Sequence, residues 1–332
     1  MKAIKRTDLI YYRVIATVFI FLCHIFGNSD IPLLQMSSQF FNVGVSMFIV
    51  LSGYLYGVNA VRKPVGKWYL KRWLRIAAPE YLFAVLLFSL HLILSKPIKV
   101  WNWIALLFNL QGLEIYVNGA EHLWYLTVIL FCYLITPLLD RLFDKENRSD
   151  LKILTVIVSI LIGSIVCAYL IHKHTAIYLL YILLYISAFL LGRYFNKLAT
   201  GSNVLLCLLV ACVFAALRVL GRIYANESTL YDVFIVGITQ GVIALSGLCA
   251  VCSFKNLYSF TALEFLDKIS YEFYLIHYMF IVGPVSLLNV TSVVPINWLI
   301  VLSVSLMSAW LLSVVDGKIM LLFAHRKMRK KA

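Results

Sequence analysis

Charge is scarce in this 332-residue chain: Asp, Glu, Lys and Arg together make up 13% of it, and only 15 residues are acidic. Hydrophobic residues supply 62% and mean hydropathy is +0.91. A soluble domain of this length has no use for so much apolar surface, so the soluble classes are excluded. Long polar stretches are missing too. The longest connection between apolar runs is 95–121, so no appended soluble domain is expected and any chemistry must be built from helices and short loops. The seven cysteines are scattered through apolar segments, which excludes a disulfide framework. "CAVC" (Cys249, Cys252) has redox spacing but sits at the end of an apolar run, where small packing residues are the expected reading. The basic leader "MKAIKR" before the first apolar run resembles a signal peptide, yet no A-x-A site follows, so that run is read as a retained span.

What is there is a series of apolar runs of membrane-crossing length. They predict an all-α polytopic membrane protein with about ten transmembrane helices in one domain over 1–332: 9–26, 40–58, 75–94, 122–140, 153–171, 176–195, 203–220, 231–253, 269–287 and 297–321. The segment 101–116 is apolar but short and broken by Asn, Gln and Gly, and reads as interfacial or re-entrant, with Trp101 and Trp103 suited to a membrane–water boundary. Ten crossings put both termini on one side. With that side cytoplasmic, the inner segments hold 21 of the 29 basic residues, against four in the outer loops (Lys96, Lys99, Lys173, Arg222). Both termini are therefore expected in the cytoplasm and the chain in the cytoplasmic membrane. The net charge of +14 is then positive-inside bias plus attraction to anionic lipid, and no nucleic-acid partner is expected.

Polar residues inside such helices are costly and face a bundle interior or a watery cavity. Arg13 and His24 in "RVIATVFIFLCH" are eleven residues apart, about three turns plus 20°, so they share one helix face about 16 Å apart along the axis. The alternative is a snorkelling arginine and a histidine satisfied by a backbone carbonyl. In "KWYLKRWLRIAAPEY", Arg72 and Arg75 project to one side at the start of the third span, with Lys63, Lys67 and Lys71 nearby. Beside a helix N-terminus two guanidiniums make a phosphate site, although ordinary positive-inside anchoring places basic residues there as well. Span 4 opens with "EHLWYL", where Glu121 and His122 form a candidate carboxylate–imidazole pair. Span 9 buries Glu272 and His277, five apart and so on different faces. Gly44, Ser46, Ser52 and Gly53 in span 2 point to close helix packing. His91, Arg218 and Asp316 have no assigned role. His172 and His174 share an outer loop, where a two-histidine metal site is possible in composition, but no metal is expected.

Taken together these segments resemble the acyltransferase family 3 membrane proteins. That family carries an arginine, ten residues and a histidine on its first helix, matched by Arg13 and His24. Its second helix is similar to "GVSMFIVLSGYLYG", its R-x-x-R is matched by Arg72 and Arg75, and "HLWYL…YLITPLL" and "SYEFYLIH" resemble two further blocks. The likeness runs in order over 9–323. Many members carry a glutamate in span 4 that "WYLTVILFCY" lacks, which gives His122 added interest. The resemblance implies transfer of an acyl group, usually acetyl, from cytoplasmic acyl-CoA (acetyl-CoA) to a hydroxyl of an envelope, capsular or exported glycan or lipid-linked sugar. It implies His24 as general base with His122 in reserve, Arg72 and Arg75 on the CoA phosphates, and Arg13 binding the donor or stabilising developing charge. A transporter or flippase for a glycan or acyl intermediate is the competing class, against which stands the lack of inverted repeats or paired broken helices.

Overall fold

The computed structural model describes residues 7–329 apart from 60, 62, 147, 171–172, 225–234 and 255–256. The basic leader 1–6, the start of the expected 231–253 span, His172 and the last three residues lie outside the described residues.

The chain folds into helices: α1 (Thr7–Gly27), α2 (Pro32–Phe41), α3 (Val43–Val58), α4 (Val65–Ile93), α5 (Val100–Leu107), α6 (Trp124–Leu142), α7 (Asp150–Leu170), α8 (Lys173–Tyr194), α9 (Asn196–Gly201), α10 (Val204–Tyr224), α11 (Val236–Ser253), α12 (Thr261–Ile276) and α13 (Val294–Arg329). Among the described residues there is no strand. A bilayer leaves no water for open backbone groups, so the chain satisfies them within its own helices. Nine helices among the described residues are long and apolar enough to cross a membrane, and the chain is an integral membrane protein. Pro79 and Pro137 sit inside α4 and α6, as neighbouring membrane helices permit.

The segment expected at 269–287 is different. α12 starts earlier, at Thr261, and ends at Ile276; a single 3-10 turn, His277–Phe280, follows, and then irregular turns lead to α13. α12 carries Glu264, Asp267, Lys268 and Glu272, which mask its start from an apolar-run reading, and its end is held by the contacts of Tyr274 with His122 and of His277 with His24. Likewise α4 starts at Val65, ten residues before the expected span. Arg72 and Arg75 therefore lie in its second and third turns, about 10–15 Å from the helix N-terminus. The two arginines thus do not stand at the helix N-terminus itself, where the sequence alone places them.

Helix α3 is central. It packs on α8, α1 and α11, and small residues allow the approach. A methyl group on Gly53 would collide with the Tyr185 carbonyl of α8, and one on Gly192 of α8 with the Tyr54 carbonyl of α3. The two backbones thus interlock through facing glycines, as small-residue interfaces do in membranes. By contrast, only 6% of the apolar stretches of α7 and α10 is buried, against 67% for that in 32–58, so α7 and α10 present their apolar surface to lipid. All seven cysteines are free thiols.

Polar links run across the bundle. Arg193 pairs with Asp140 and lies over the Phe189 ring at 4.9 Å. Arg218, 3% exposed, donates to the Gln39 carbonyl. With its amide turned to suit its neighbours, Gln240 accepts from Arg218 at 3.0 and 3.2 Å and from Asn42 at 3.2 Å. Arg218 thereby ties α10 to α2 and α11.

Candidate functional site

The site forms where α1 and α12 lie side by side. Arg13 pairs with Asp267 at one level. Eleven residues later on α1, His24 Nδ1 lies 2.7 Å from His277 Nε2, at the end of α12. Residues rising in number on both helices meet in the same order, so α1 and α12 run parallel, with the ion pair and the histidines about 15 Å apart. Arg13 and His24 do share one face of α1, and that face looks at α12.

Backbone carbonyls decide the tautomers, because a carbonyl only accepts. His277 is fully buried, and its Nδ1 is 2.9 Å from the carbonyls of both Phe273 and Tyr274. That nitrogen therefore carries hydrogen, and in the neutral ring Nε2 is the acceptor. His24 must then donate from Nδ1, which leaves its own Nε2 with a lone pair: the protonation pattern of a general base. His24 itself is half-buried, its ring stacked on His277 at 5.0 Å.

His122 joins from the short 3-10 turn Glu121–Leu123. Its ring centre is 5.7 Å from that of His24 and 5.2 Å from that of His277. Its Nε2 donates to the Tyr274 carbonyl at 2.7 Å, while the Tyr274 hydroxyl donates back to the His122 carbonyl at 2.6 Å. The remaining nitrogen, Nδ1, is buried without a partner. Tyr278 closes the cluster, its ring 4.7 Å from His24 and 4.8 Å from His122. The expected Glu121–His122 pair does not form. Glu121 Oε2 instead accepts the Gly119 N–H at 2.8 Å, because the 3-10 turn sends the two neighbouring side chains to different partners.

Arg72 and Arg75 lie toward the Arg13 end. The Tyr271 hydroxyl of α12 donates to the Ile76 carbonyl of α4, which sets Arg75 near the height of Glu272, with which it interacts electrostatically. The Arg72 guanidinium lies 5.0 Å from the Tyr56 ring centre and 5.8 Å from that of Trp68, a cation set over aromatic faces. Arg75 is exposed. Fifteen residues beyond Ile76, about 22 Å along the axis, His91 stands at the opposite end of α4, where its Nδ1 donates to the Leu87 carbonyl at 2.9 Å.

The structure thus brings His24 and His122 together, leaves Arg13 about 15 Å away along the same face of α1 and engaged by Asp267, and keeps Arg72 and Arg75 apart at the basic end. Asp267, His277 and Tyr278 carry the arrangement without having been singled out as site residues. His277 stands out in the sequence as a buried polar residue of the ninth apolar run, without a role; for Asp267 the trace is spacing, ten residues before His277, nearly the interval of Arg13 and His24. Among the described residues no group of three or more metal-binding side chains is poised around an ion.

Comparison with known proteins agrees in one respect. No curated protein and no solved structure gives a match. The sequence model of a family described as an acyltransferase domain, however, matches residues 6–314, a range that takes in α1, the paired histidines and the arginines of α4. The chain belongs to acyltransferase family 3 and is a membrane acyltransferase.

Proposed function

We propose that the protein transfers an acyl group, acetyl in the simplest case, from acyl-CoA to a hydroxyl of an envelope or exported glycan. The observation that carries this is the tautomer chain from the Phe273 and Tyr274 carbonyls through His277 to His24, which leaves His24 Nε2 as a base in a half-buried site. A sugar hydroxyl is a poor nucleophile at neutral pH. His24 takes its proton as the oxygen attacks the thioester carbonyl carbon. The tetrahedral adduct then collapses, the C–S bond breaks, and the proton held on His24 passes to the departing sulfur, giving the ester and free CoA. His277 stays neutral and orients the ring; His122 Nδ1 is a second lone pair in the same cluster.

In this reading Arg72 and Arg75 hold the phosphates of CoA at the cytoplasmic mouth, with the Arg72 guanidinium positioned by the Tyr56 and Trp68 rings for a forked contact. Arg13, locked to Asp267, fixes the height at which α1 meets α12 and lends its remaining N–H groups to the donor. The chain would lie in the cytoplasmic membrane with both termini inside. The segregation of the basic residues supports that orientation. Purified protein in lipid nanodiscs should hydrolyse acetyl-CoA slowly and pass the acetyl group to envelope glycan. Movement of a glycan across vesicles with no acyl transfer would favour a transporter instead.

A further inference from the structure

At the end of α4 remote from Arg72, a cleft of about 310 Å³ opens between α5 and the loop leading to His122. This is within the size range of small-molecule sites, and its lining is graded. Lys96 and Lys99, both exposed, stand at the rim, and they are two of the few basic residues in the segments read as outer loops. The floor is buried: Trp103 sits edge-on to His91 at 5.3 Å, and His91 is 2% exposed. Since His91 donates from Nδ1 to Leu87, its Nε2 is an acceptor. Tyr116, Asn102 and Asn118 add an aromatic face and two amides. Glu121 lines the inner end, half-buried, with Oε2 bonded to the Gly119 N–H. The next residue is His122 of the histidine cluster. Gly119 packs against Gly283 and Pro284, just past His277 and Tyr278, so the cleft and the cluster share a wall.

We infer that this cleft seats the acceptor, and that the acceptor is a sugar bearing an anionic group, carboxylate or phosphate, held at the rim by Lys96 and Lys99 with its neutral hydroxyls directed inward past Glu121 toward His122 and His24. Aromatic faces with amides and single acceptors match the alternating apolar and hydroxyl surface of a pyranose. The charge gradient orients it: cations at the rim attract the anion, while the Glu121 carboxylate repels it from the inner end and accepts from a hydroxyl instead. The acceptor role rests on the transferase reading above; the preference for a charged sugar does not.

The test is binding without any acyl donor, so that it is independent of turnover. Purified protein in phosphatidylcholine nanodiscs is titrated calorimetrically with trigalacturonate against maltotriose, and with glucose 1-phosphate against glucose, at low and high salt. At least one charged probe should bind at least tenfold more tightly than its neutral counterpart, a preference lost in half-molar salt and in the doubly substituted Lys96→Gln, Lys99→Gln protein. Which charged probe binds tells carboxylate from phosphate. The melting temperature of the variant, unchanged, shows that it is folded. Failure of both charged probes to bind, equal binding of neutral sugars, or a preference that survives the double substitution overturns the inference. So does an effect of the lysines seen only with phosphatidylglycerol in the nanodisc, which would make the cleft a lipid-headgroup seat. Absence of acyl transfer together with salt-sensitive, lysine-dependent binding would instead remove the reaction and leave the sugar site standing.

Discussion

Replacing His24 by Asn separates chemistry from packing. An Asn amide can still donate to His277 Nε2, the contact that His24 Nδ1 makes at 2.7 Å, but it offers no basic nitrogen where Nε2 stood. General-base assistance contributes about 10²–10⁴-fold, or roughly 2.7–5.5 kcal/mol of barrier at about 1.36 kcal/mol per tenfold. The rate of acetyl transfer should fall by that factor while the melting temperature in detergent stays near that of the parent protein. His24→Ala also strands the buried His277 nitrogen, a loss of about 1–3 kcal/mol, and should lower stability as well as rate. His277→Ala removes the group that selects the His24 tautomer together with a fully buried ring; by the measure of outer partners of metal-bound imidazoles, a loss of about 10–100-fold in rate follows, with some loss of stability. The assay is transfer of labelled acetyl from acetyl-CoA to envelope glycan by protein in nanodiscs, with melting curves alongside. The reasoning is refuted if His24→Asn keeps more than about a tenth of the rate. If His122→Ala is then inactive, the base is His122, acting through its unpartnered Nδ1.

Arg72→Ala should raise the KM for acyl-CoA with little change in kcat, and Arg72→Lys should restore only part of the affinity because an ammonium lacks the planar fork; normal acyl-CoA binding by both would return Arg72 and Arg75 to simple membrane anchoring. Asp267→Asn leaves Arg13 without its partner in a site partly open to solvent (side chains 31% and 15% exposed), and should cost on the order of 1–3 kcal/mol, between the exposed and buried limits. The charge-swapped pair Arg13→Asp with Asp267→Arg should recover stability in melting curves if the pair acts as a clamp. Gly53→Leu should abolish the folded, monodisperse protein on size exclusion, since its side chain meets the Tyr185 carbonyl, whereas Gly201→Leu, with nothing near it, should be silent. In a cysteine-free background, an impermeant maleimide should label a cysteine at 290 from outside and one at 67 only after permeabilisation; the reverse pattern would invert the orientation and move the donor mouth to the other face.

The sequence alone determined that this is a helical membrane protein, because bilayer thickness converts directly into a length of apolar run. It also determined that Arg13 and His24 lie on one face of α1, since that follows from helical pitch and needs no partner. The glycines of α3 were legible as a packing surface for the same local reason. Other features depend on neighbours distant in the chain. Asp267 and His277 become site residues only because packing sets them against positions 254 and 253 residues away, and no periodicity encodes that. The tautomer of His24 is set by carbonyls two contacts away, through the buried ring of His277. Glu121 and His122 read as a pair by adjacency, yet the 3-10 turn parts them, one toward Gly119 and one toward Tyr274. Where α12 stops was decided by tertiary structure as well: its four charged residues mask the apolar signal, and its end is held in place by the contacts of His277 and Tyr274 with α1 and the turn before α6. Pitch and hydrophobicity are properties of a single helix, whereas which histidine holds the proton is a property of three segments meeting.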